Sequence, residues 1–156
     1  THDPRWLAHA THFQAVLDRE FADDEHGGYF FTGSSDRPLL KRDKPDYDGA
    51  EPSGNSVALL NLLRLEQYAA EPAYRERAEK GFAAFSEMLD RQGEAVPKML
   101  TALDYYLDEP LQVVIVLPPG GDAEPFVERL RPLFLPNKTL AVGREGSSDG
   151  LQGKVQ

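Results

Sequence analysis

The chain has 156 residues, 40% of them hydrophobic, no cysteine, and a formal net charge of -9. That length buries one core with room for a small subdomain, and the acidic balance works against nucleic acid and anionic membranes, which need Lys and Arg to neutralise their phosphates. Without cysteine there are no disulfides or thiolate metal sites.

No apolar run reaches the length of a membrane span, and no signal-peptide pattern is read ahead of the first helix, so the cytoplasm is the expected compartment. The chain opens at Thr1 without Met and closes on "LQGKVQ", and it reads as a fragment of a longer protein.

The first helix is announced by Asp3 as N-cap and Pro4 at the first helical position, followed by Leu7, Ala10, Phe13, Leu17 and Phe21 at three- and four-residue spacing. It should be amphipathic and one-sided. In "ADDEHGGYFFTG" the glycine pair ends the helix, and Tyr29, Phe30 and Phe31 have the composition of a short strand. Residues 27–50 are expected to form an excursion loop or hairpin.

The second helix is expected near Pro52 or Ser53, with Val57, Leu59, Leu60, Leu62, Leu63 and Leu65 on nearly every side, as in a helix surrounded by protein. The third runs from Ala73 to about Asp90, with Tyr74, Ala78, Phe82, Phe85 and Leu89 along one stripe, and should lie on the surface. A fourth follows Gly93, with Val96, Leu100, Leu103 and Leu107 marking its buried side.

Then the pattern changes. "LQVVIVLPPGGDAEPFVERLRPLFLPNKTLAVG" holds a β-branched run, a Gly- and Pro-rich turn, a helix from about Asp122 and a second strand at Thr139 to Val142. It reads as a β-α-β unit with parallel strands. The fold class is therefore mainly α, in helical hairpins, followed by a small β-α-β element. The expected division is 1–109, 110–143, and a poorly ordered tail at 144–156.

One-sided and all-round helices alternate as outer and inner members do in an α/α toroid. "FADDEHGGYFFT", "KPDYDGAEPSGNSVALLNLLRL" and "VVIVLP...LFLPNKTLAV" together resemble the C-terminal part of the family that joins a thioredoxin-like domain to a six-hairpin toroid. That family includes the YyaL-like proteins and the spermatogenesis-associated protein 20 group. The resemblance covers nearly the whole chain, and Asp-x-x-x-Pro-Ser-Gly-Asn, from Asp48 to Asn55, is its most specific part. It implies that this chain is about two hairpins of a six-hairpin glycosidase-like ring. The thioredoxin-like domain, the other toroid half and a Cys-containing tail would lie elsewhere, the first two being its natural partners. Two hairpins cut from a ring leave bare sides, so the fragment is expected to form a homo-oligomer. The related toroids of N-acylglucosamine 2-epimerases and glycoside hydrolases suggest a small carbohydrate ligand by analogy of fold alone.

In such a ring the loop before an inner helix lies on the substrate rim. Asp48 and Glu51 are then the candidate general acid and base. Asp46, Asn55, Tyr29, Phe31 and Tyr47 are the candidate substrate contacts. The same residues have a structural reading: carboxylates near a helix start meet unpaired N–H groups, Ser53 or Asn55 can cap, Gly54 can permit close backbone approach, and Pro52 fits a first turn.

A catalytic loop predicts a carboxylate-lined cleft. A scaffold or interdomain binding module predicts packed, mutually satisfied carboxylates. His9 and His12, at i, i+3 spacing, and His26 beside Asp23, Asp24 and Glu25 lack a third fixed ligand, so no metal is expected. "PPGGD" lacks the lysine and full glycine pattern of a phosphate loop. No cofactor is implied.

Overall fold

The computed structural model describes residues 3–36 and 42–146. Helix α1 spans Pro4–Phe21. The side chain of Asp3 accepts a hydrogen bond from the Arg5 N–H and caps the helix as expected. Its inner side runs through Leu7, Gln14, Leu17 and Phe21, whereas Ala10 is exposed and Phe13 is 68% exposed. The stripe is thus rotated from the expected one, and a polar residue, Gln14, stands in it.

After α1 the chain does not form the expected strand at Tyr29 to Phe31. A single antiparallel bridge joins Ala22 to Tyr29, and scattered backbone bonds, such as Phe31 N–H to the Asp43 carbonyl and Ser34 N–H to the Glu20 carbonyl, hold the segment together with side-chain bonds. The expected excursion loop at 27–50 is irregular over its described residues; residues 37–41 lie outside them.

Helix α2, Gly54–Ala69, is the centre of the molecule. Leu59, Leu60, Leu62 and Leu63 are all buried, each stabilising the fold by roughly 1.5–3 kcal/mol relative to exposure. Helix α3, Pro72–Ala84, packs along one side of α2 and helix α5, Pro97–Leu107, along another. At the α2–α3 crossing the backbones come close, and a Cβ on Gly81 would lie 2.3 Å from the Leu59 Cδ2. Helix α3 buries only Ala78, Gly81 and Phe82, so the expected order of burial, α2 above α3, holds.

The expected single helix to Asp90 is instead two. Helix α3 stops at Ala84, and the short helix α4, Ser86–Arg91, follows across Phe85. The Ser86 hydroxyl donates to the Ala83 carbonyl oxygen at 2.9 Å, a back-bond that bends helices, and the bend keeps the Phe85 ring buried.

A 3-10 turn, Gly93–Ala95, leads into α5. Its buried face also differs from the expected leucine stripe: Val96, Met99, Ala102 and Tyr105 are buried, whereas Leu100 is exposed and Leu107 is 73% exposed. The helix N-terminus is fixed by hydrogen bonds to Asp48 from the Lys98 and Met99 N–H groups. With this end held, Met99 rather than Leu100 turns toward α2.

The Tyr105 hydroxyl is buried and finds no partner among the described residues, and burial pushes it up to about 12. Tyr105→Phe removes that unpaired group and is expected to stabilise the chain by up to about 1 kcal/mol in urea denaturation. A loss of similar size would mean that the hydroxyl is bonded in solution.

The β-α-β unit forms as expected. Strand β1, Leu111–Leu117, and strand β2, Lys138–Arg144, pair in parallel with Leu111 opposite Lys138 and Leu117 opposite Arg144. Helix α6, Glu124–Leu130, lies in the crossover. The Tyr68 hydroxyl donates to the Leu140 carbonyl, and the Asn137 amide donates to Asp104 and Asp108, which ties the unit to α2 and α5. Of the expected loose tail at 144–156, residue 144 ends β2 and residues 147–156 lie outside the described residues.

Candidate functional site

The polar loop in front of α2 forms a knot. Ser53 is the N-cap, its hydroxyl oxygen accepting from the Ser56 N–H at 3.1 Å. Asn55 lies inside the helix and is not a cap. Gly54 has nothing within 4 Å of a would-be Cβ, so it serves no close approach. Pro52 precedes the cap and stays outside the helix.

Asp48 is 9% exposed and joins two helix starts. One carboxylate oxygen accepts from the Ser53 N–H at 2.8 Å, and the other accepts from Lys98 and Met99 at 2.8 and 3.3 Å. Its own N–H donates to the Ala95 carbonyl at 2.9 Å. The loop therefore sits at the same end of the molecule as the turn before α5, as antiparallel alternation requires. Burial pulls the Asp48 pKa upward, but the donors from Ser53, Ser56, Lys98 and Met99 outweigh it and hold the carboxyl below its ordinary range. A carboxylate held in this way stays ionised and is a poor general acid.

Asn55 replaces a strand. Its side-chain oxygen accepts from the Tyr29 N–H at 2.7 Å, and its amide donates to the carbonyls of Tyr29 and Pro45, each at 2.9 Å. The amide thus offers Tyr29 the donor and acceptor that a neighbouring strand would supply, which explains why only one backbone bridge forms there. Gly28 must lack a side chain, because its φ is 75° and a Cβ would meet the Phe85 ring at 3.0 Å and Asn55 at 3.1 Å. Asn55 and Tyr29 are core residues in this arrangement and present no surface to a ligand.

The Tyr29 hydroxyl donates to Asp18 at 2.7 Å and accepts from the Gln14 amide at 3.0 Å. Burial and the Asp18 carboxylate raise its pKa well above the usual value for a phenol. Arg77 approaches Asp18 at 3.6 Å and pairs with Asp24 at 3.1 Å. Nearby, the Lys44 ammonium lies 2.6 Å from Asp23 and donates to the Gly27 carbonyl, and that pairing holds the Asp23 carboxyl down to about 2.

The remaining candidates disperse. Phe31 and Tyr47 are exposed, and Glu51 is exposed with no side-chain hydrogen bond or ion pair among the described residues. Asp46 is half-buried and lines a shallow depression of about 670 Å³ with Asp43, Lys44, Phe85 and Arg91. The structure joins Tyr29, Asp48 and Asn55 to the core and leaves Glu51 at the surface. Among the described residues no three His, Asp or Glu side chains could hold a metal ion, and no helix is long and apolar enough to cross a membrane.

Gln14, Asp18 and Lys44 were not singled out from sequence, and Asp23 was weighed only beside His26 as a metal ligand. Gln14 had a signal, a polar residue at i+7 from Leu7 and three before Leu17 on the buried side of α1. A larger groove, about 1000 Å³, opens between α1, α2 and β2, with Trp6, Phe13, Leu17, Tyr68, Leu140 and Val142 among its lining residues.

A central helix flanked by hairpin partners, with its polar loop consumed by backbone donors, defines a mainly α helical-hairpin module with a parallel β-α-β appendage. The chain is 35% identical to spermatogenesis-associated protein 20 of Rattus norvegicus and 34% identical to that of Mus musculus, each over 141 residues and 88% of this chain. An uncharacterized protein of Caenorhabditis elegans is 38% identical over 98 residues, 63% of this chain. This chain belongs to the spermatogenesis-associated protein 20 family. It spans 18% of the length of the two rodent relatives and 13% of the nematode protein. No family model matches it.

Proposed function

We propose that this stretch is a non-catalytic packing module that builds one side of a larger helical body and offers the α1–α2–β2 groove as its interdomain face. The observation that carries this reading is the complete use of Asp48: both carboxylate oxygens accept backbone N–H groups at the starts of two helices. The satisfied Asn55 amide supports it as well. The rest of a toroid and a thioredoxin-like domain, implied by resemblance, are the partners it would face in the whole protein.

The carbohydrate-acting reading needs a free carboxylate pair beside a cleft. Glu51 is exposed and can be altered without touching the core. Glu51→Gln is expected to change stability by less than about 0.5 kcal/mol, as for an exposed carboxylate. Calorimetric titration of the chain with mono- and oligosaccharides is expected to give no saturable heat in either form. Saturable binding that Glu51→Gln abolishes would overturn the packing-module reading in favour of the carbohydrate one.

A further inference from the structure

The residue after the Asp48 anchor is Gly49. An aspartate followed by glycine is prone to backbone isomerisation, because glycine has no side chain to hinder its own amide nitrogen as it attacks the preceding carboxyl group. In that step the Gly49 nitrogen bonds to the Asp48 Cγ, and the hydroxyl of the acid leaves with the N–H proton as water. The cyclic imide then takes up water at either carbonyl. Opening at one restores aspartate, and opening at the other leaves isoaspartate, whose main chain runs through the former side chain. No oxidant or second reactant enters.

The fold opposes each requirement of this step. Asp48 is 9% exposed, and its two oxygens accept from the N–H groups of Ser53, Lys98 and Met99. Whichever oxygen leaves, one helix start loses its acceptor. The nucleophile is engaged as well, since the Gly49 N–H donates to the Glu51 carbonyl at 3.2 Å. Against the upward pull of burial, the donors hold the carboxyl below its ordinary range, whereas loss of water needs the protonated acid. Gly49 is not required by the backbone. It is not among the glycines with positive φ, and a Cβ there would meet only the Tyr47 ring, at 3.1 Å, which is 65% exposed and can shift.

We propose that Asp48–Gly49 is a latent modification site, where the native loop suppresses imide formation and an opened loop forms isoaspartate that blocks return to the native state. Isoaspartate lengthens the main chain by one methylene and leaves the carboxylate directly on Cα. Both changes displace the group that joins the starts of α2 and α5. The inference uses the Asp48 geometry but not the packing-module reading, and saccharide titration, which tests that reading, bears on neither outcome here.

The test ages the chain at neutral pH for equal times, folded in buffer and unfolded in guanidinium chloride. Isoaspartate at position 48 is read by peptide mapping with fragmentation that separates the two linkages. Mapping also keeps it apart from Asp149–Gly150, the other Asp-Gly pair in the sequence, which lies outside the described residues. The unfolded chain should accumulate isoaspartate at 48, and the folded chain roughly tenfold less or lower, because reaction must wait for local opening. Unfolded Gly49→Ala should form far less than the unfolded parent. On return to buffer, isomerised chains should be confined to the fraction that does not regain the native circular dichroism spectrum. Equal isoaspartate in folded and unfolded chains would overturn the proposal, as would its absence from both. Isomerised chains that refold to the native urea midpoint would overturn the block on return.

Discussion

Asp48→Ala is expected to lower the unfolding free energy by about 4 kcal/mol, since it strips the acceptor from three backbone N–H groups and each charge-assisted bond contributes about 1.5–3 kcal/mol before compensation by water. The donors belong to Ser53, Lys98 and Met99, so the loss should loosen the entry to α2 and the start of α5 together. Asp48→Asn keeps one good acceptor oxygen and turns the other into a donor aimed at donors, so it should cost roughly half as much.

The pH dependence separates charge from shape. The folded carboxyl of Asp48 titrates below its ordinary range, so its contribution is fully present above that range and is lost as pH falls through the lower folded value. The stability gap between the unmodified chain and Asp48→Asn should therefore be constant at neutral pH and close below about pH 4. Equal urea midpoints for the two proteins at pH 7 would remove the anchor role.

Features that depend on near neighbours were readable before any coordinates. Asp3 followed by Pro4 marks a helix start by local chemistry. Leucines on nearly every side of residues 59–65 demand surrounding protein, although Val57, expected on the same face, is exposed. The spacing of β-branched residues, Gly-Pro turn and second strand gave the β-α-β unit with β2 extended at both ends, Lys138–Arg144. What escaped depends on distant partners. Asp48 and Asn55 stand out in the sequence as candidate site residues, but in the fold Asp48 takes its role from Lys98 and Met99, some 50 residues away. Asn55 takes its role from Tyr29 and Pro45. The same distance effect misled the phase of α5, because periodicity gives equal weight to the Leu100 and Met99 faces until the capped end fixes the rotation. The break at Phe85 arose from a serine bonding back to a carbonyl, a choice that propensity does not decide.

Asn55→Ala is expected to cost about 3–4 kcal/mol. The side chain is 1% exposed, and truncating it leaves the Tyr29 N–H, the Tyr29 carbonyl and the Pro45 carbonyl without their partner. A buried polar group left unpaired costs about 1–3 kcal/mol, and water entering the vacated space would recover part of it. Asn55→Asp is the sharper probe. Its carboxylate can still accept from the Tyr29 N–H, but its second oxygen faces two carbonyl oxygens with no proton to share.

At neutral pH it should be at least as damaging as the alanine, because a buried charge would stand against two acceptors. The repulsion raises the folded pKa of the introduced carboxyl, so the damage should be full above that raised value and should ease as pH falls toward the ordinary carboxylate range, where the protonated acid donates one bond. Hydrogen exchange at the Tyr29 amide reads the same contact directly and should accelerate in both variants. An alanine variant within about 0.5 kcal/mol of the unmodified chain, with the Tyr29 amide still protected, would mean that the amide does not hold the loop to α2.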